Sequence, residues 1–287
     1  MSDVSQAGSG PAQVGSPAPR PNGIRLELHV SHACNLACES CSHFSNHGHK
    51  GHVSLAEADQ WMGAWSSRIP VREMNLLGGE PTIHPELTKF VPLVRKHWPS
   101  AHINLVTNGF FLDRHPDLPR AMRDAGNTLL SLSIHHDAPT YRERLKPVID
   151  LVRSWHQDYG IAVSIRPSFK FWTRRYTGFG ADMLPYEDNN PRGAWEICPS
   201  KYCRQLFDGK LWKCPPITYL DMQKQKYSLS EKWDPYLAYT PLAPDCTDAE
   251  LRAFLMREEE FICTMCSAHP RTFELPNPME RPRPQKR

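Results

Sequence analysis

Short apolar runs alternate with longer stretches of helical period from Ile24 to about Ser168. The runs IRLELHV (Ile24–Val30), VREMNLL (Val71–Leu77), HINLVT (His102–Thr107), TLLSLSI (Thr128–Ile134) and IAVSIRP (Ile161–Pro167) have the length and β-branched content of buried strands. Between the first two, Ser54 with Glu57 three residues on forms a capping box, which opens a helix. A second helix is expected from Pro85, a favoured first helical position, towards Trp98. Two more cover about Leu118–Ala125 and Thr140–Tyr159. Strand–helix alternation of this kind predicts parallel pairing through right-handed crossovers. Five units fall short of an eightfold barrel, which takes ~250 residues, so an open sheet or a partial barrel is expected. In either, functional loops follow the carboxyl ends of the strands.

After Ser168 aromatics, Pro and Cys become frequent and the periodicity weakens. The expected division is a leader over 1–23, an α/β unit over 24–190, a small loop-rich unit over 191–272 and a loose tail over 273–287. Leader and tail are rich in Ser, Gly, Pro and Ala or in Pro and charge, which bury too little surface to offset chain entropy. A net charge of +3 across 287 residues makes neither nucleic acid nor an anionic membrane an expected partner. No apolar run approaches the ~20 residues of a membrane helix, and no secretory signal is evident, so cytoplasmic residence is expected.

Nine cysteines in such a chain need a reason, since disulfides rarely persist in that compartment. They are grouped: Cys34, Cys38 and Cys41 follow the first strand, and Cys198, Cys203 and Cys214 precede Cys246, Cys263 and Cys266. Grouping points to metal. Three thiolates from one loop leave one iron of a [4Fe–4S] cube with an open position, and an open metal site binds a substrate or cofactor. The competing readings are a zinc site completed by His32 or His43, or unrelated thiols. After the second strand, LLGGEPTIHPEL carries Gly78, Gly79, Glu80 and Pro81. There glycines permit close backbone approach and positive φ, and a carboxylate suits a cationic amino group. Thr107 and Asn108 end the third strand, Ser133 the fourth and Arg166 the fifth. All are candidates for binding a cofactor's hydroxyls or carboxylate.

Cys34-x3-Cys38-x2-Cys41 after one strand with GGEP after the next resembles the radical S-adenosylmethionine (radical SAM) enzymes over most of Ile24–Ser168. The resemblance implies a partial (βα)6 TIM-like barrel. It implies a [4Fe–4S] cluster whose open iron chelates S-adenosylmethionine, and reductive cleavage to a 5′-deoxyadenosyl radical that abstracts hydrogen. It also implies that the GGEP loop binds the amino group of S-adenosylmethionine, and that a reductant such as flavodoxin or ferredoxin supplies the electron. The pattern departs in one place: Ser40 stands where the family often has an aromatic residue before the third cysteine, and Phe44 is the candidate to pack on adenine instead.

Cys198, Gly209 and Cys214 are spaced like the opening of the SPASM and twitch domains that follow such barrels. Gly209 is expected to turn a hairpin in FDGKLW. One further [4Fe–4S] cluster is then implied, held by Cys198, Cys214, Cys263 and Cys266. Cys203 is an alternative ligand or a hydrogen-atom donor to substrate, and Cys246 is an ordinary thiol. A structural zinc is the competing reading for this group. His47, His49 and His52 read as a solvated Gly-rich loop, and at most one of His135 and His136 faces the barrel mouth. A weaker resemblance to small members that modify sugars or aminocyclitols points to a polar small-molecule substrate: a sugar, nucleotide-sugar or cyclitol, altered by oxidation, epimerisation or dehydration. A peptide maturase and a non-catalytic zinc- or cluster-binding adaptor are the alternatives.

Overall fold

A computed structural model describes residues 23–280; the expected leader, residue 23 apart, and the last seven residues of the tail lie outside the described residues. Five parallel strands form where the apolar runs predict them: β1 (Ile24–Ser31), β2 (Val71–Gly78), β3 (His102–Thr107), β4 (Thr128–Ile134) and β5 (Ala162–Pro167). The returns are made by α1 (Leu55–Ser66), α2 (Leu87–His97), α3 (Leu118–Ala125) and α4 (Pro139–Tyr159). The capping box at Ser54 and Glu57 is present in full. Pro85 does not open α2. It lies in the turn after a 3-10 segment at Pro81–Ile83, where Glu86 N donates to His84 Nδ1.

The sheet does not stop at β1. After the short antiparallel pairing of β6 (Trp172–Thr173) with β9 (Thr272–Phe273), and a helix α5 (Pro191–Glu196), the chain returns as β7 (Arg204–Phe207). β7 pairs in parallel with β1, setting Glu27 opposite Gln205. β8 (Lys210–Trp212) then pairs back on β7 through Asp208 and Gly209, both left-handed at φ 52° and 69°. Two consecutive positive-φ residues match the right-handed twist of a hairpin, which is what the FDGKLW pattern predicts. The order is β5-β4-β3-β2-β1-β7-β8, mostly parallel and open, with β5 and β8 at its edges. The sixth parallel strand therefore comes from beyond the α/β repeats and lies against β1 rather than β5.

Alternation sets the two faces of the sheet. Leu26, Leu28 and Val30 are fully buried in a core shared with Met62, Trp65, Phe90 and Met122. The other face of β1 carries Glu27, His29 and Ser31, also buried. From Glu27 a row of hydrogen-bonded polar groups crosses six strands. Gln205 Nε2 donates to Glu27 Oε2 (2.6 Å), Asn75 Nδ2 to Glu27 Oε1 (3.2 Å) and Asn104 Nδ2 to Asn75 Oδ1 (2.9 Å). Ser131 Oγ then donates to Asn104 Oδ1 (2.7 Å) and Arg166 Nη2 to Ser131 Oγ (3.1 Å). Buried amides and carboxylates are tolerable only when so satisfied.

A second apolar cluster joins the cysteine loop to the C-terminal part through Phe44, Tyr176, Tyr219 and Trp233. The expected loose tail is corrected over its first part: Leu275 is fully buried, and Ala37 N donates to Pro278 O. An apolar Leu among prolines is enough to anchor that stretch on the core.

Candidate cofactor site and a second thiol group

At the carboxyl ends of β1–β4 a cavity of about 270 Å³ is lined by Cys34, Cys38 and Cys41 together with Gly78, Gly79 and Glu80. Thr107, Asn108, Ser133 and His135 complete it from the next strands. The three thiols thus share one cavity, as the spacing predicts. The loop wraps on Cys41. Ser40 and Phe44 are left-handed (φ 53° and 56°), and the amides of His43, Phe44, Ser45 and Asn46 turn onto the Cys41 sulfur. Burial pushes that thiol up, while the four amides pull it towards thiolate. Leu36 N donates to Cys34 Sγ at 3.4 Å, and Cys38 Sγ lies 3.6 Å from His135 Nδ1.

The glycine loop has a different basis from the one the sequence suggests. Neither Gly78 nor Gly79 has positive φ; each lies against the backbone of the cysteine loop. A Cβ on Gly78 would meet Ser31 O at 2.5 Å, and one on Gly79 would meet Ala33 O at 2.4 Å. Gly79 N donates to Ser31 O (2.7 Å) and Glu80 N to Ala33 O (2.8 Å), so the two loops are held together by their backbones. Glu80, 1% exposed, is likewise occupied within the protein. Its Oε1 accepts from Thr82 N (3.0 Å), Thr82 Oγ1 (2.5 Å) and Thr107 Oγ1 (2.5 Å), and its Oε2 from Asn108 N (2.8 Å). Burial pushes its pKa up despite these donors. The carboxylate ties the loop to β3 rather than waiting wholly for a cation.

Pro81 opens the 3-10 turn behind the loop and is not among the lining residues. Asn108 Nδ2 donates to Asn35 Oδ1 (2.7 Å) close to Cys34. Arg166 is corrected: it joins the polar row through Ser131, is exposed at the edge strand, and does not line the cavity. Phe44 is corrected too, since it is buried in the second apolar cluster. Of the histidine pair, His135 lines the cavity, held neutral by burial that lowers its pKa to about 4. His136 instead accepts from Ala138 N. His47 is fully buried rather than solvated, bonded to Tyr176 Oη at 3.1 Å.

Sequence reasoning missed Ser45 and Asn46 as lining residues and offered His43 only as a zinc ligand. His43 Nε2, Ser45 Oγ and Asn46 Oδ1 are buried without a hydrogen-bond partner among the described residues. Their nearness to Cys41 in sequence was the available signal. Among the described residues no three His, Cys, Asp or Glu side chains converge on a single metal ion. A four-iron cube asks instead for thiolates spaced around it, and unpartnered polar atoms beside them suit a zwitterionic cofactor. The lining fits both groups.

The second thiol group assembles from three places. Cys198 follows α5, Cys214 precedes the short helix α6 (Pro215–Thr218), and Cys263 and Cys266 lie at a 3-10 turn, Phe261–Met265. Burial pushes Cys214 up, and Cys198, Cys266 and Cys263 are near enough to push it further. Burial raises Cys266 to about 12, opposed by the Arg175 guanidinium that hydrogen-bonds its sulfur. Lys213 lies beside Cys263 and pairs with Glu260 at 2.9 Å. Cys203 is not part of this group. It is half-buried and hydrogen-bonded to Glu27 and Arg25 at the polar row, which corrects its candidacy as ligand or hydrogen donor. Cys246 Sγ accepts from Arg68 Nη1 at 3.4 Å, and no disulfide joins any of the nine cysteines.

Residues 28–155 match the profile of the Radical SAM superfamily. The chain is 27% identical over 151 residues to a GTP 3′,8-cyclase of Paenarthrobacter nicotinovorans, covering 51% of this chain and 41% of that protein. It is 29% identical over 116 residues to a probable GTP 3′,8-cyclase of Sulfolobus acidocaldarius, covering 40% and 35%. The match therefore spans well under half of each relative. The fold resembles that of BtrN, solved in complex with AdoMet and 2-DOIA, with a TM-score of 0.51 at 16% identity over 85% of this chain and 92% of that one.

Proposed function

We propose, for a chain whose residues 28–155 are a radical SAM domain, that it reductively cleaves S-adenosylmethionine and removes a hydrogen atom from a polar small molecule. The substrate class is a sugar, nucleotide-sugar or cyclitol, and the outcome oxidation, epimerisation or dehydration. The observation that carries this reading is the shared cavity, where three thiols, the glycine loop and the unpartnered Ser45 Oγ and Asn46 Oδ1 meet at the strands' carboxyl ends. Bound there, a three-thiolate [4Fe–4S] cluster with S-adenosylmethionine supplies a 5′-deoxyadenosyl radical.

The chain's own part is to hold, orient and exclude water. Cys34, Cys38 and Cys41 are the ligands, and the amides around Cys41 favour its thiolate. Gly78 and Gly79 bring the second loop against the first, Glu80 locks it to β3, and Asn108 and Ser133 offer polar groups to the cofactor. Cys198, Cys214, Cys263 and Cys266 suit a second [4Fe–4S] cluster, with Arg175 and Lys213 as neighbouring cations. A cluster with four protein ligands suits electron acceptance, which favours oxidation among the three outcomes. Flavodoxin or ferredoxin is the reductant in this reading, and nine cysteines with no disulfide among them suit cytoplasmic residence; among the described residues no helix is long and apolar enough to cross a membrane. The two relatives named as GTP cyclases favour a nucleotide as the second reading.

Anaerobic reconstitution tests it. Wild type should bind about eight irons and form 5′-deoxyadenosine when reduced with S-adenosylmethionine. Cys214→Ala should retain about four irons, and Cys203→Ala the full complement. Zinc in place of iron, or no cleavage of S-adenosylmethionine, overturns the proposal.

A further inference from the structure

A second cavity, of about 460 Å³, is lined by the cysteine loop and by the segment that follows β6. Glu39, Ser40 and Asn46 come from the first, and Arg174, Tyr176 and Phe179 from the second. Asn46 lines this cavity and the cofactor cavity alike. It is 5% exposed; its Nδ2 donates to Tyr176 Oη at 3.4 Å, while its Oδ1 has no partner among the described residues. A buried acceptor left unpaired costs about 1–3 kcal/mol unless a ligand supplies a donor.

The rest of the lining limits what that ligand is. Arg174 donates to Glu39 Oε1 through Nε (2.9 Å) and Nη2 (2.7 Å), so its charge is matched within the wall and is not held for a phosphate. Ser40 Oγ accepts from Arg175 N at 2.8 Å and keeps its own proton to donate. Phe179 stacks one face on His47, with ring centroids 4.1 Å apart and planes 4° apart, and is 42% exposed, leaving its ring as an apolar surface beside these polar groups. The volume is that of a small-molecule site rather than a peptide groove.

We infer that this second cavity is the substrate site and takes a neutral polyhydroxylated ring, with Asn46 Oδ1 accepting from a ring hydroxyl or amide N–H beside the C–H that reacts. The inference rests on the radical SAM reading and narrows it, setting phosphorylated nucleotide-sugars and peptides aside. Asn46 is the reason the two cavities work together: hydrogen transfer needs the reacting atoms in contact, and this residue lines both cavities.

The test uses the anaerobically reconstituted protein with S-adenosylmethionine and four probes: myo-inositol, N-acetylglucosamine, UDP-glucose and a serine-containing tetrapeptide. Binding is followed by saturation-transfer NMR and titration. At least one of the two neutral rings should bind, and its affinity should fall about tenfold in Asn46→Ala, the loss of one good hydrogen bond. Phe179→Ala, at a part-exposed position, should also weaken it. Binding of neither ring, binding of only the nucleotide-sugar or the peptide, or ring binding indifferent to both substitutions overturns the inference. The cluster's EPR response to S-adenosylmethionine, recorded on the same wild-type sample, separates the two claims. A response without ring binding sinks only this one, whereas no response sinks the reading beneath it.

Discussion

At Gly79 there is no room for a side chain, because Ala33 O lies 2.4 Å from where a Cβ would stand. Gly79→Ala must therefore push the glycine loop off the cysteine loop. Formation of 5′-deoxyadenosine should fall at least about tenfold, as expected when cofactor and ligands lose their mutual placement. An unchanged rate would contradict the packing argument. Glu80 presents a related case. Its oxygens accept four hydrogen bonds from Thr82, Thr107 and Asn108, and Glu80→Gln puts an NH₂ against at least one of those donors. A cost of about 1–3 kcal/mol is expected, read as a lower urea midpoint. Both residues stand out in the sequence as GGEP, but their partners lie in loops 27 or more positions away or just beyond the motif. The motif alone suggests ligand contact and conceals the tie between loops.

The β7–β8 hairpin shows at the level of elements what local pattern conveys. Asp208 and Gly209 between KLW and RQLF are a turn signal that needs no tertiary information. Gly209 has φ 69° and only ordinary contacts with Trp61 around it, so Gly209→Ala is strained by backbone conformation alone. A loss of about 1 kcal/mol in unfolding free energy is expected. That β7 adds to the sheet beside β1 is not legible locally, since Leu26 and Arg204 are joined across most of the chain. The polar row has the same origin. Glu27, Asn75, Asn104 and Ser131 read as isolated polar interruptions in apolar strands until pleat and stagger bring them together. Asn104→Leu would strand Asn75 Oδ1 and take the acceptor from the Ser131 hydroxyl proton, while Ser131 Oγ still accepts from Arg166; a cost of about 1–3 kcal/mol is expected by chemical denaturation, and a near-neutral effect would mean that the row is dispensable.

Across the whole molecule, burial of histidines sets an acid limit. Desolvation lowers His47 to about 3 and His49 to about 4; the charges of His49 and Lys226 add to the first, and those of Lys226 and His32 to the second. A folded pKa below the unfolded value of 6.5 means that the unfolded chain binds more protons. Stability from these groups is therefore full above pH 6.5 and is lost as pH falls from 6.5 towards 4. Glu27 and Glu80, raised by burial, act in the opposite sense. His47→Phe should therefore flatten the fall in urea midpoint between pH 7 and 4.5, and an unaltered slope would show that His47 is not part of it.

By itself the sequence determined the five parallel strands, the helices between them, the hairpin turn and the three-cysteine loop. Each depends on residues close in the chain: period, caps, turn chemistry and spacing act over a few positions. Tertiary structure alone decided that β7 extends the sheet at β1, that Cys203 sides with Glu27 and stands apart from the second thiol group, that Arg166 serves the polar row, and that Asn46 lines two cavities at once. Those outcomes turn on which distant groups share a desolvated space, and no local pattern carries the energy of that choice.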